Sequence, residues 1–363
     1  MEHRFLGEIC CPKQWKTIST SELTETGYPV YGANGIIGKY KEYNHEKATI
    51  LVTCRGATCG SVVISKPYSY VNGNAMALDN LDDDICIDYL YFYLIGRGFA
   101  DVISGSAQPQ IIRSTIEKIR IPLYNFEKQK QIASVFSTIN GMKLKFELLI
   151  EKYDQLVKAR FVEMFGSVHD SVYYPYLPVG NFTKVISGGT PNRKKDEYWK
   201  RGNIPWIKTT ELQNDVIKKT EECITEVGLK ESSAKIVPIG TVLVAMYGQG
   251  KTRGKTAYLD IEACTNQACA CILPSQNVNS KYLWKYFELS YEKLRSLAQG
   301  AGQPNLNGNM IKDFPVLIPP INMQNDYVSF VEQVDKSKLA VQQSLEKTQL
   351  LFDSLMQEYF GEN

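Results

Sequence analysis

From Ile132 onward apolar residues fall alternately three and four positions apart: Ile132, Val135, Ile139, Met142, Phe146, Leu149, Tyr153 and Leu156, with Arg160 continuing the row. That spacing is a heptad seam, no proline interrupts it, and it predicts one long helix. A second row lies near the end of the chain: Phe330, Val334, Val341, Leu351 and Leu355. Ser337, Ser344 and Thr348 interrupt it, while Leu345, Phe352 and Tyr359 add apolar area beside it. A helix of about 38 residues would be about 57 Å long and cannot bury its own stripe. The economical solution packs the two helices against each other and holds the segments before them apart.

Those preceding segments are glycine- and turn-rich, with short β-type runs such as Ala48-Thr49-Ile50-Leu51-Val52 and Thr241-Val242-Leu243-Val244. The chain is also written twice. Gly105-Ser106-Ala107-Gln108-Pro109-Gln110-Ile111 returns as Gly300-Ala301-Gly302-Gln303-Pro304-Asn305-Leu306. Tyr89-Leu90-Tyr91-Phe92-Tyr93 returns as Tyr282-Leu283-Trp284-Lys285-Tyr286, and Asn74-Ala75-Met76-Ala77 matches Gln267-Ala268-Cys269-Ala270. Ile121-Pro122 and Ile318-Pro319 precede the two helical segments, which end in Glu163-Met164-Phe165-Gly166 and Glu358-Tyr359-Phe360-Gly361. Repeated order of this kind implies two copies of one unit. The expected fold is therefore α/β (mixed α+β), with two pseudo-repeated globules, at 1–124 and 167–321, separated by a pair of long antiparallel coiled-coil helices, at 125–166 and 322–363.

Composition narrows the function. No run approaches the roughly 18 apolar residues of a membrane span, and the start does not lead into a signal-peptide core, so a cytoplasmic protein with no membrane partner is expected. The nine cysteines are irregularly scattered without a Cys-x-x-Cys pair, and the three histidines lack ligand spacing. They read as buried free thiols, with no metal. A net charge of +2 falls short of a strongly basic nucleic-acid binder. Any DNA contact must come from locally concentrated bases balanced by acidic surface elsewhere.

The stretch AMYGQGKTRGKTA, residues 245–257, suggests a phosphate loop. Such a loop needs a helix after its Gly-Lys-Ser/Thr, so that N–H groups and the helix dipole converge on phosphate. Here Arg253-Gly254-Lys255-Thr256-Ala257-Tyr258 follows, with no apolar row at helical spacing, and the matching stretch of the first copy, around Cys54-Arg55-Gly56, carries no Lys-Thr. The feature reads as a variable hairpin tip, either a solvated turn or a contact to phosphate or bases. The second globule opens on Ser187-Gly188-Gly189-Thr190-Pro191, followed by Arg193, Lys194, Lys195, Lys200, Arg201 and Lys208. Small residues would admit a close duplex backbone, and the bases would neutralise phosphates, although such a run is commonly just a solvated face.

The order SGGTPNRKKDEYWKRGNIPWIK, the repeated GSAQPQI and GAGQPNL, the Ile-Pro junctions and the globule–helix alternation resemble the specificity subunit of type I restriction-modification systems across essentially the whole chain. In that resemblance the globules are target-recognition domains and the helices are spacers. The Glu-Gln-Gln signature opening the spacer is only partly kept, as Glu127-Lys128-Gln129-Lys130-Gln131 and Met323-Gln324-Asn325. The resemblance implies that each globule reads one half of a bipartite, asymmetric site in double-stranded DNA, with the helix pair as a ruler. It also implies two methyltransferase and two restriction-translocase subunits as partners. These would carry S-adenosylmethionine, ATP and magnesium, with no cofactor bound directly by this chain.

Side chains able to read bases or hold phosphates are Lys39, Lys41 and Arg55 in the first globule. In the second they are Ser187, Gly188, Gly189, Thr190, Arg193, Lys194, Lys195, Lys208, Gln249, Lys251, Arg253 and Lys255. Gln108 and Gln303 recur in both copies and are as well explained by a turn as by DNA contact.

No catalytic residue is expected. Ile318-Pro319-Pro320-Ile321 lacks the amide or acid and the aromatic of an adenine methyltransferase motif, and Asp82-Asp83-Asp84 has no nearby lysine to suggest a nuclease. The competing reading is a duplicated coiled-coil adaptor or regulator that binds protein and not DNA, which the near-neutral charge favours.

Overall fold

The computed structural model describes residues 2–33, 35–105, 108–248, 250–298 and 305–361. The duplication is visible in the sheets. The first copy holds a four-stranded sheet in the order Cys11–Gln14, Ala75–Asp79, Ile50–Thr53, Val62–Ile64. The second repeats it as Val185–Ser187, Cys269–Ile272, Val242–Ala245, Thr256–Leu259, and adds Asp215–Ile217 in parallel at the far edge. The central strands of both sheets are buried and uniformly apolar, Ile50-Leu51-Val52 against Val242-Leu243-Val244, as a strand covered on both faces requires. A three-stranded sheet also recurs, with one antiparallel and one parallel neighbour around Tyr28–Gly32 in the first copy and around Ile204–Ile207 in the second. A third pair closes each copy: Glu2–Phe5 on Arg120–Leu123, and Tyr176–Pro178 on Pro315–Leu317.

Two helices of 40 residues follow these sheets, Phe126–Phe165 and Ile321–Phe360. The chain forms two compact units, 1–149 with 341–363, and 150–340. The unit boundaries cut through the helices and not at the junctions between globule and helix. The reason is packing: the main core cluster of the first unit includes Ile132, Phe136 and Ile139 of the first helix and Phe352 of the second. In that unit Phe136 lies 5.1 Å from Phe352 and 5.7 Å from Phe360, and Lys128 sits over Tyr359. In the other unit Phe161 lies 5.5 Å from Tyr327, Arg160 covers Phe330, and Lys338 pairs with Asp154 at 2.5 Å. Within each unit rising numbers on one helix meet falling numbers on the other, so the segments are antiparallel.

The seam differs in phase from the expected one. Ile132 and Ile139 are buried, and Phe146, Leu149 and Tyr153 half-buried, but Val135, Met142 and Leu156 are exposed, Met142 by 47%. The intervening positions are taken instead by Phe136, Lys143, Ile150 and Val157. At 3.6 residues per turn, steps of three and of four both return to one face. Residues 135–136, 149–150 and 156–157 are all apolar, so spacing alone cannot choose between the two phases. The aromatic Phe136 settles it by filling the space between Phe92, Phe352 and Phe360. In the second helix Val334 is buried and Phe330, Val341 and Leu355 half-buried, whereas Leu351 is exposed and its neighbour Phe352 is buried in its place.

Each helix is tied to the globule before it by a buried glutamine. The Gln129 amide donates to Asp84 O and Tyr124 O, and its oxygen accepts from the Cys86 N–H at 2.8 Å, at the start of the helix Ile87–Arg97. Gln324 repeats the arrangement, donating to Pro319 O at 2.7 Å and accepting from the Asn279 N–H at 2.9 Å, at the start of Ser280–Leu289. These are the glutamines retained from the partial spacer signature. An amide buried this deeply is tolerated because its donors and acceptor are matched.

The phase of the seam sets a stability contrast. Phe136→Ala should cost about 3–5 kcal/mol and Met142→Ala less than about 0.5 kcal/mol, measured by chemical denaturation of the full chain.

Candidate nucleic-acid interface

The Gly-Lys stretch lies on a hairpin. Val242–Ala245 runs antiparallel to Thr256–Leu259, with Val244 opposite Thr256, so a strand and not a helix follows the Gly-Lys-Thr. A phosphate loop of the nucleotide-binding kind is thereby excluded. Gly250 and Gly254 adopt φ of +57° and +85°, left-handed values that favour glycine in the turn. The loop is braced from outside. Tyr291 donates its hydroxyl to Lys251 O at 2.8 Å, and Arg295 donates to Arg253 O at 2.9 Å, both from the helix Tyr291–Ser296. Lys255 donates to Gln213 Oε1. Lys251 is exposed and Arg253 and Lys255 half-exposed; among the described residues no carboxylate lies within ion-pair distance of Lys251 or Lys255. Gln249 lies outside the described residues.

The same site exists in the first copy. Arg55 is exposed on the loop between Ile50–Thr53 and Val62–Ile64 and forms an isolated bridge with Gln110. The Ile111 N–H donates to Cys54 O at 3.0 Å, and the Leu306 N–H donates to Met246 O at 3.0 Å. In both copies, then, the end of the repeated Gln-Pro segment docks on the residue that opens the variable loop. Gly56 N–H further bonds Pro109 O. The brace accounts for the recurrence of the apolar residue that closes the motif, Ile111 and Leu306, and Gln110 bridges to Arg55; Gln303 lies outside the described residues. Lys39 is exposed on Gly35–Tyr40, and Lys41 is exposed 3.7 Å from Glu42.

The basic opening of the second globule is organised differently from the expectation of free phosphate-binding charges. Arg193 pairs with Glu222 and stacks 3.7 Å from the ring centre of Trp199 and 4.6 Å from that of Trp206. Lys208 reaches Glu221 at 2.8 Å and Glu222 at 2.9 Å. Those two hydrogen bonds raise the Lys208 pKa above its ordinary value. Partial burial pushes the Glu222 carboxyl up, but the bonds from Arg193 and Lys208 outweigh it and hold the group below the ordinary range. Lys195 bonds Tyr198 Oη at 2.6 Å and lies 3.4 Å from Glu231. Lys194 is exposed. Most of the run is therefore already neutralised within the chain, by acids that sequence distance conceals, although the adjacent Glu221-Glu222 is itself a visible signal.

The glycines also have an internal reason. A Cβ on Gly188 would stand 2.1 Å from Thr265 Oγ1, and one on Gly189 2.3 Å from Ser233 Oγ. Gly189 N–H bonds Thr265 O, and Trp206 Nε1 donates to Gly189 O at 2.9 Å. Close packing of the chain on itself is thus reason enough for both glycines. Ser187 is exposed at the end of its strand, and the Thr190 hydroxyl bonds Gln267. Among the described residues no group of three His, Cys, Asp or Glu side chains could hold a metal ion, and no helix is long and apolar enough to cross a membrane.

Glu222→Gln should lower the thermal midpoint at neutral pH by the equivalent of at most about 1 kcal/mol. Because the folded pKa is depressed, wild type holds this advantage above the ordinary carboxylate pKa of about 4.5 and loses it as pH falls through the folded value. The two melting curves should converge in acid.

Comparison with known proteins places this geometry. The family model described as "Type I restriction modification DNA specificity domain" matches residues 1–151 and 177–350, one match on each copy. The chain is 23% identical over 265 residues to the EcoR124I/EcoR124II specificity subunit of Escherichia coli, covering 70% of this chain and 64% of that protein. It is 32% identical over 178 residues to the MjaIX specificity subunit of Methanocaldococcus jannaschii, covering 46% and 40%. The aligned chain thus spans less than two thirds of the length of these curated relatives. The S subunit of a type I restriction-modification system from M. genitalium shares the fold with a TM-score of 0.65 at 15% identity, covering 100% of this chain and 96% of that one. A chain from a structure describing assembly and conformational transition of the type I R-M system gives 0.59 at 14% identity, covering 99% and 97%. With a duplicated sheet frame, paired long helices and a family match over both copies, the chain belongs to the type I restriction-modification DNA specificity family.

Proposed function

We propose that the chain is the DNA-reading subunit of a type I restriction-modification enzyme. The observation that carries this reading is one frame bearing two unlike loops: four strands in the same order, and Ile111 and Leu306 bonded alike to the residue that opens the loop, with Cys54–Gly60 on one copy and Met246–Lys255 on the other. A frame that holds its loops in the same way while their chemistry differs suits two half-sites of different sequence. Arg and Lys serve such sites through guanine edges and phosphates, and Lys251, Arg253 and Lys255 are grouped on one braced turn.

In this reading the long helices set the number of unread base pairs between the half-sites and offer surfaces to two methyltransferase subunits, with two restriction-translocase subunits completing the enzyme. Transfer of methyl from S-adenosylmethionine and cleavage driven by ATP and magnesium belong to those partners. The adaptor reading has less support, because the family match is to a DNA specificity domain on both copies.

Removing the two lysines that have no acidic partner among the described residues, Lys251→Ala with Lys255→Ala, should weaken DNA binding and flatten its dependence on salt by a slope of about 1.8 in a logarithmic plot. An unchanged slope in a fluorescence titration would take the loop out of the interface. Arg193→Ala with Lys208→Ala should flatten the slope less, since Glu221 and Glu222 already hold those charges. Inserting one heptad into both long helices should lengthen the unread spacer and keep both half-sites, as read by mapping methylated adenines in a host genome.

A further inference from the structure

The first copy carries a feature that has no counterpart among the described residues of the second. The strands Tyr28–Gly32 and Gly35–Tyr40 form a hairpin whose register shifts between Val30 and Tyr31: Tyr31 faces Ile36, but Val30 faces Gly38. Ile37 is thus the extra residue of a β-bulge. Successive side chains on a regular strand point to opposite faces, and a bulge re-aims them. Here Ile36 is 51% and Ile37 39% exposed, two consecutive isoleucines both left in solvent. Ile37 packs across the hairpin, with its Cγ2 3.0 Å from where a Cβ on Gly32 would stand.

The hairpin is fastened to the variable loop of the same copy. Thr53 Oγ1 donates to Ala33 O at 2.7 Å and Thr58 Oγ1 to the same oxygen at 3.3 Å, on either side of Arg55. The bulge therefore adjoins the loop that carries the arginine. In the second copy the strand in the place of Gly35–Tyr40 is Glu222–Ile224, which opens on an acid, Glu222, that pairs with Arg193 and Lys208.

We infer that Ile36 and Ile37 are specificity-determining residues that contact the C5-methyl groups of thymine in the major groove, so that the half-site read by the first globule contains thymine beside the base read by Arg55. This rests on the DNA-reading function proposed above. Thymine is the base that offers an apolar group in the major groove, and branched aliphatic side chains suit it. A protein partner fits less well: a stable protein interface buries about 1,200–2,000 Å², far more than a turn bearing two isoleucines presents.

The test is a chemical cycle. The full chain, with its methyltransferase partner, is used to select its site from random duplexes, and each thymine is then replaced by deoxyuridine, which removes only the methyl. For wild type, at least one replacement should weaken binding about fourfold, the value of one buried methyl group. The same replacement should leave Ile36→Ala/Ile37→Ala unaffected. The variant should melt within about a few degrees of wild type, because Ile36 and Ile37 are 51% and 39% exposed and what is given up is the surface packing of Ile37 across the hairpin. Equal effects of deoxyuridine on wild type and variant, or a selected site without thymine in either half, would overturn the inference while leaving the DNA-reading function intact. Wild type that selects no sequence at all would overturn the function and this inference together.

Discussion

A phenylalanine at the end of each long helix, set among the tyrosines of a globule, is the contact on which the rest depends. Phe360 lies 5.3 Å from both Tyr89 and Tyr93, and Phe165 lies 5.7 Å from Tyr282. The tyrosines are themselves pinned: Tyr89 donates to Pro122 O and Tyr93 to Arg120 O, while Tyr282 and Tyr286 donate to Leu317 O and Pro315 O. Burial raises the pKa of Tyr89, Tyr282 and Tyr286, so these hydroxyls stay protonated donors. Each such aromatic pair adds about 0.5–1.5 kcal/mol beyond its buried area. Each unit is consequently built from one globule, the start of its own helix and the end of the other. Neither globule's core is complete without the helix that belongs to the other copy.

The DNA-reading role proposed above requires a nearly neutral chain to hold a polyanion, and the pairing of its charges bears on how it would do so. Charges that pair with neighbours contribute little to counterion release, because binding phosphate must first displace the existing partner. Arg193, Lys195 and Lys208 are of that kind, held by Glu222, Glu231 and Glu221. Of the hairpin lysines, Lys255 donates to the neutral amide of Gln213, and Lys251 is exposed while its backbone carbonyl accepts from Tyr291, so both keep their charge available. Net charge is thus a poor guide here; the distribution of partners decides.

Much of this was legible in the sequence. The duplication, the helical segments, the hairpin nature of the Gly-Lys turn and the family resemblance follow from residue order and turn chemistry. What stayed hidden depends on contacts between distant residues. The seam's phase turned on Phe136 meeting Phe92, and no local spacing distinguishes position 135 from 136 when both are apolar. The packing of Gly188 and Gly189 against Thr265 and Ser233 could not be read locally, because those neighbours lie far along the chain. The braces Tyr291 and Arg295 are about forty residues from the loop they hold and carry no motif.

The glutamines that fasten each helix to its globule carry no charge. Gln129 and Gln324 sit 1% and 0% exposed, bonded to backbone carbonyls and a single N–H. Dissolved ions screen contacts between exposed charges strongly and those between buried neutral dipoles hardly at all. Raising ionic strength would therefore loosen the proposed grip on a nucleic acid while leaving each helix fastened to the globule before it.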